Sequence, residues 1–292
     1  MKVENRRVDL HTHTNASDGR LSPEELIAAA LAAGLSAVAL TDHDTLEGYK
    51  SAVDAGKKAG IEIIPAIEFS TLDGQQEHHL LGYFLDPENE KLHIYLKSLE
   101  KMRLSRAYGI IAKLEELGHK IPAEDVLEVA GHGTVTRPHI AEVMVKHGIV
   151  KSYKAAFDQW IGDGRPACVS KFTKSIYEMI QFIRDIGGVS VLAHPGKNIS
   201  TNFLHALIDH GLDGIEVVHP RHKKAARAYL QQFADANKLI ATGGSDFHGG
   251  RKEKDVLGEI YVSYDVVRLL KKRSTYESAR LKQDTDIKTL HK

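Results

Sequence analysis

Through the first third of the chain, short apolar runs alternate with stretches of helical period. "RRVDLHTH", "SAVALTDHD" and "IEIIPAIEFS" read as strands, each a run of aliphatic residues bounded by polar turn residues. Between the first two lies "SPEELIAAALAAGL", with Ser22 as N-cap, Pro23 at the first helical position, acids in the first turn and Gly34 at the end. "TLEGYKSAVDAGKKAG" makes a second helix, and "HHLLGYFLD" reads as a fourth strand. The rhythm then changes. From about Pro87 to about Ala167 the period is helical throughout, with no convincing strand. Beyond it, the strands "VSVLAHP", "DGIEVVHP" and "LIATGGSDFH" alternate with three helical stretches.

Strands separated by helices of this length imply a parallel sheet with right-handed crossovers. The expected fold class is α/β, a distorted seven-stranded (β/α) barrel carrying an inserted, small all-helical domain. An open α/β sheet would show a similar rhythm. The expected division is a barrel from residues 1–86 and 167–270, a helical insertion over 87–166 and a fraying charged tail over 271–292.

Composition narrows the class of function. Lys and Arg balance Asp and Glu at 39 each, so the formal net charge of zero argues against binding long duplex nucleic acid. It leaves room for a nucleotide or short oligonucleotide held locally. The single cysteine excludes an internal disulfide and suits a reducing compartment. No window approaches the eighteen apolar residues of a membrane span, and nothing marks an obligate protein partner. A cytoplasmic protein is expected.

The residues that carry chemistry collect at strand ends. His11 and His13 close the first strand, Asp42 and His43 the second and Glu68 the third. His194 closes the fifth, Asp246 and His248 the seventh, and His78 and His79 begin the fourth. Parallel barrels build their active sites at this end, where the loops after the strands converge. Alternate residues on a strand face one side, so His11 and His13 can grip one ion, and Asp246 and His248 repeat that spacing. A lone strand-end histidine is usually structural, and the chain has 17 histidines. Their joint placement argues otherwise. Five histidines and three acids exceed the three or four protein ligands of one catalytic ion, so at least two divalent metals are expected. Imidazole with carboxylate suits manganese, zinc or iron.

In this order, "DLHTHTNASDG", "ALTDHD", "IEFS", "HLLGYF", "LAHPG" and "GSDFH" resemble the motifs of the polymerase and histidinol phosphatase (PHP) superfamily of metal-dependent phosphoesterases. The helical insertion and "GTVTRPHIAEVMVKHG" resemble its branch of nucleotide phosphatases and 5′-to-3′ exoribonucleases. The resemblance implies a first metal held by His11, His13, Glu68 and Asp246, and a second by Asp18, His43 and His248. A third would use Glu68, His79 and His194. Asp18 stands where several members have histidine, which would favour manganese or magnesium at the second site. Strand neighbours face opposite ways, so His78 and His79 are alternatives; alignment on "HLLGY" favours His79. Two or three ions are thus expected, with manganese preferred over zinc, iron or magnesium.

The implied activity is hydrolysis of nucleotide phosphate esters by a hydroxide bridging two ions. Candidate substrates are a nucleoside monophosphate, a 3′,5′-bisphosphate or a short 5′-phosphorylated RNA. Arg137 and His139 in "TRPHIA" are the candidate phosphate contacts, because a guanidinium fork matches phosphate oxygens. Lys171 and His222 are further substrate candidates, with His219 and Arg221 nearby. Competing readings are a histidinol-phosphate phosphatase and a non-catalytic metal or nucleotide sensor.

Overall fold

A computed structural model describes residues 6–74, 76–131, 133–170, 173–196, 199–250 and 257–280. Lys171, one of the expected substrate residues, lies outside the described residues. The strands are β1 (Arg7–Thr12), β2 (Ala37–Leu40), β3 (Glu62–Asp73), β4 (Gln76–Tyr83), β5 (Val189–Leu192), β6 (Gly214–Val218), β7 (Ile240–Gly243) and β8 (Val262–Ser263). They form one sheet in the order β7-β6-β5-β4-β3-β2-β1-β8. Beyond β7 the chain returns to β1: Asp246 N donates to His11 O at 2.9 Å, and His13 N to Phe247 O at 2.9 Å. That contact nearly closes the barrel, as the alternation of strands and helices predicts.

Two departures have physical reasons. β4 runs antiparallel to both β3 and β5, because Asp73 pairs with Gln76 across a tight turn at Gly74 (φ 57°) instead of a helical crossover. The reversal places the beginning of β4 beside the end of β3, with His79 opposite Ser70. β8 is a two-residue strand paired antiparallel with the outer edge of β1, too short to show as an apolar run.

Helices α1 (Pro23–Ala32) and α2 (Tyr49–Ala59) cover β1 to β3. The start of α1 follows from its sequence: Ser22 and Glu25 form a capping box and Pro23 occupies the first turn. The long α3 (Glu90–Glu116) serves two cores. Its Leu92 packs with the barrel helices, whereas Ala107, Ile110 and Leu114 pack with α4 (Ala123–Ala130), α5 (Arg137–Lys146), α6 (Tyr153–Ala156) and a π-helical turn at Phe157–Ile161. The helices between β4 and β5 therefore enclose an apolar cluster of their own. After them, α7 (Ile176–Asp185), α8 (Thr201–Asp209) and α9 (Lys224–Ala236) cover the second half of the sheet. α10 (Tyr264–Arg273) buries Val267 and Leu270 against the barrel interior.

The expected tail is corrected here. Residues 271–280 do not fray: Ser274 is fully buried and its Oγ donates to Gly187 O at 2.9 Å, while Glu277 is 3% exposed. Residues 281–292 lie outside the described residues. No described helix is long and apolar enough to cross a membrane.

Candidate metal centre

Strand alternation sets the first pair. Thr12 turns its hydroxyl to Ala39 O at 2.7 Å, so its neighbours His11 and His13 point together to the other side, both fully buried. There they meet Glu68 from the middle of β3. Glu68 Oε2 lies 3.1 Å from Nε2 of each histidine and 3.4 Å from His43 Nδ1. The other oxygen, Oε1, lies 2.8 Å from both His79 Nδ1 and His194 Nε2. One carboxylate thus touches five imidazoles. Asp246 Oδ1 is 3.4 Å from His13 Nε2 and 3.6 Å from both His11 Nε2 and His248 Nδ1. Asp18, from the loop after β1, places Oδ1 3.3 Å from His248 Nε2 and Oδ2 3.9 Å from His43 Nε2.

All nine expected ligands converge on this cluster. Within it, His11, His13, Glu68 and Asp246 form one group with donor atoms close enough to share an ion; His13, Asp18, His43 and His248 form another, His43, Glu68 and His79 a third, and His11, Glu216 and His219 a fourth. The grouping answers the ambiguity at 78 and 79. His79 faces Glu68, while His78 stacks on Phe203 with ring centroids 4.6 Å apart.

The donor set fits divalent cations on chemical grounds. Both ring nitrogens of His13 and Nδ1 of His43 are buried without a hydrogen-bond partner. Unpaired buried polar atoms of this kind are costly, and an ion set among imidazole and carboxylate lone pairs satisfies them together. Burial would raise Glu68 and Asp18, but the facing histidines hold both carboxyls well below the usual range. Burial pushes His43 down to about 3 and His194 to about 4, so both are neutral and ready to coordinate. His13 and His79 are held up at about 9 against burial, by Asp246 and Glu68 for the first and by Glu68 and Glu77 for the second. Three of the non-glycine residues with positive φ border this centre: Asp44 (φ 55°), His194 (φ 29°) and Asp246 (φ 54°). Such backbone is sparsely populated and collects at functional sites.

Glu216 and Asp44 are not singled out by the sequence reading, whereas Asp42, counted there among the strand-end acids, takes a supporting role instead of a ligand's. Glu216, fully buried on β6, accepts from His194 N at 2.8 Å and lies 3.0 Å from His11 Nδ1. A charged residue inside the apolar run "GIEVV" is the signal that could have marked it. Asp42 faces away from the metal cluster and holds the loop after β1, accepting from Thr14 N at 2.8 Å and Ser17 Oγ at 2.6 Å. Asp44 is paired with Arg103, whose Nε lies 2.9 Å away.

The cluster opens into a cavity of about 260 Å³ whose wall carries Arg103, Arg106, Arg137 and Arg221. Arg137 begins α5, and its guanidinium is shared between Glu77 at 2.9 Å and Asp163 at 2.6 Å. Arg106 donates from Nε to Val169 O at 2.8 Å and forms no ion pair among the described residues. Two expected substrate contacts do not reach this wall. His139 is 2% exposed and its Nδ1 accepts from Thr136 N at 3.2 Å, capping the helix whose first turn holds Pro138. His222 ties two loops together, its Nδ1 against Val217 O at 3.0 Å and its Nε2 accepting from Gly196 N at 3.3 Å. Arg103 and Arg106 were hidden because an amphipathic helix shows a charged face without showing which charge meets a cavity.

A family model described as the PHP domain matches residues 9–164. The chain belongs to the PHP domain family. Among PHP relatives, a 5′-3′ exoribonuclease of Haemophilus influenzae is 36% identical over 83% of this chain and 90% of its own. A 3′,5′-nucleoside bisphosphate phosphatase of Chromobacterium violaceum is 33% identical over 84% and 89%. A solved structure from Bifidobacterium adolescentis, described as a candidate metal-dependent phosphoesterase, superposes with a TM-score of 0.86 at 32% identity, covering 93% of this chain and 97% of that one.

Proposed function

We propose that this PHP protein is a divalent-metal-dependent phosphoesterase that hydrolyses phosphate esters of nucleotides, either small nucleotides or short RNA. The observation that carries the reading is the opening of a His, Asp and Glu cluster directly into a cavity walled by arginines. Anionic substrate and metal ligands then face one space. The nucleotide class is supported by the exoribonuclease and the bisphosphate phosphatase among the relatives.

His11, His13, Glu68 and Asp246 would hold one ion, and Asp18, His43 and His248 a second. Glu68, His79 and His194 would hold a third. Manganese is the preferred metal. Bound divalent ions supply activated water and neutralise the charge that builds on phosphorus. The chain's own residues do the rest. Glu68, held ionised by the histidines that face it, contributes to the first and third donor sets from one strand. Arg106 and Arg137 bind phosphate oxygens, each charge-assisted bond being worth about 1.5–3 kcal/mol. Residues 87–166 act as a cap, since α5 brings Arg137, and α6 with the π-helical turn brings Tyr153 and Phe157, to the cavity wall. On this reading the protein works in the cytoplasm.

The deciding assay measures product release from AMP, 3′,5′-bisphosphoadenosine, histidinol phosphate and a short 5′-phosphorylated RNA, with Mn²⁺ and with chelator. Metal-dependent release from a nucleotide substrate is expected. Preference for histidinol phosphate would replace the substrate class, and silence on all four would make the chain a sensor.

A further inference from the structure

His219 has no place in the three ion sites proposed above, yet its donor atom groups with those of His11 and Glu216, it is 1% exposed, and its ring adjoins those of His11 and His194. It follows β6 by one residue, three positions after Glu216. The backbone N–H of Arg221 donates to His219 Nδ1 at 3.2 Å. A ring nitrogen that accepts carries no hydrogen, so in the neutral imidazole the proton sits on Nε2. That Nε2 is buried without a hydrogen-bond partner, and 3.4 Å away stands Asp246 Oδ2.

The two oxygens of Asp246 therefore face different groups. Oδ1 looks toward His11, His13 and His248, whereas Oδ2 looks toward His219. Asp246 also sits at φ 54°, a conformation a non-glycine residue keeps only when its surroundings hold it. Its partner in the first donor set, His11, lies across the seam between the end of β7 and β1. The ladder there is reduced to a few bonds, including Asp246 N to His11 O at 2.9 Å.

We infer that His219 is a positioning residue for the metal centre: its Nε2–H, fixed by the Arg221 backbone, holds Asp246 Oδ2 and thereby presents Oδ1 to the first ion. The inference rests on the metal-centre reading proposed above. His219 is not among the residues lining the cavity. Its effect is on the orientation of a ligand, where loss of an outer partner typically costs about 10- to 100-fold in metal affinity.

The test compares the full chain with His219→Phe and His219→Gln, titrating Mn²⁺ against a chelating dye and counting bound Mn²⁺ by elemental analysis. Phe keeps the ring's bulk and removes the N–H; Gln places an amide N–H near the position of Nε2. The expected result is a roughly 10- to 100-fold weaker first equivalent in the Phe variant, with most of the loss recovered in Gln. Nitrogen NMR of the ion-free wild-type protein should show Nδ1 bare and Nε2 protonated. Unchanged Mn²⁺ affinity in His219→Phe overturns the inference, because bulk alone would then suffice. Disappearance of a whole equivalent in both variants also overturns it, since His219 would then be a ligand. If wild-type protein binds no Mn²⁺, the metal-centre reading itself fails, and that outcome is distinct from either.

Discussion

His11 Nδ1 stands 3.0 Å from Glu216 Oε1, and neither side chain is exposed to solvent. When the ring gives up its second proton to an ion, a carboxylate on Nδ1 keeps the remaining proton on that side and leaves the Nε2 lone pair toward Glu68 and Asp246, where the first ion is proposed. Glu216→Gln keeps the shape but removes the charge, and its amide cannot accept from both His11 and His194 N as the two carboxylate oxygens do. We expect Mn²⁺ affinity to fall by about 10- to 100-fold with the fold intact by circular dichroism. Wild-type affinity in the variant would remove Glu216 from the metal centre.

Proton and metal compete for the same nitrogens. In the ion-free protein, Asp246 and Glu68 hold His13 at about 9 against burial, and Glu68 and Glu77 do the same for His79. Both rings therefore keep a proton at neutral pH and must release it to coordinate. Because the shifts are upward, affinity should rise with pH through the neutral range and level off above about 9. Calorimetry in buffers of different ionisation enthalpy should detect protons released on Mn²⁺ binding at pH 7.5. Binding without proton release, or affinity independent of pH between 6 and 8, would contradict the coordination by His13 and His79. Chelation should abolish product release, and added Mn²⁺ should restore it.

The cavity arginines separate into two kinds. Arg103 pairs with Asp44, which is 3% exposed and also accepts from Ser70 N at 2.9 Å, so Arg103→Met takes the counter-charge from a buried carboxylate and should cost up to about 3–5 kcal/mol of stability. Arg106 has no ion pair among the described residues and is crowded by burial and by Arg137 and Arg103, which pull its pKa down. An incoming phosphate relieves that crowding. Arg106→Gln and Arg137→Ala should each lower kcat/KM by about 10- to 100-fold, the equivalent of one charged hydrogen bond, while bound metal stays at the wild-type level. Loss of metal in either variant would place the arginine in the metal centre instead.

Strand alternation and strand-end placement point to the barrel and gather His11, His13, His43, Glu68, His194, Asp246 and His248 at one end of it, whereas Asp18 and the choice of His79 come from the family resemblance alone. They could not show direction. The apolar run of β4 reads the same whether parallel or antiparallel, yet the reversal is what lets His79, at the start of its strand, join residues at the ends of others. His139 was expected to meet phosphate, but the capping geometry that turns it inward depends on Thr136 being placed against it. His222 was near the mouth in sequence and was drawn off by two backbone partners. Glu216 is marked in sequence only as a charge inside an apolar run, and its partners His11 and His194 come from other strands, which the run does not show.

The helical block meets the metal centre at a backbone contact that leaves no room for a side chain. Gly133, in the link between α4 and α5, would place a Cβ 2.3 Å from Asn15 O, and Thr134 N donates to Ala16 O at 2.9 Å. Asn15 and Ala16 belong to the loop that carries Asp18, and Arg137 follows four residues after Gly133. A methyl group cannot occupy a 2.3 Å gap against backbone, so Gly133→Ala must push the two loops apart. We expect a loss of about 1–3 kcal/mol, seen as a melting temperature lower by a few degrees. If the loop positions Asp18 as proposed, the equivalent of Mn²⁺ held by Asp18, His43 and His248 should weaken while the one held by His11, His13, Glu68 and Asp246 does not. The contrast is readable by titrating Mn²⁺ in Gly133→Ala beside Asp18→Asn. A variant with wild-type melting and both equivalents unchanged would mean that the contact is incidental to the site. Equal weakening of both equivalents would mean that the loop supports the barrel end as a whole, and Asp18 through it.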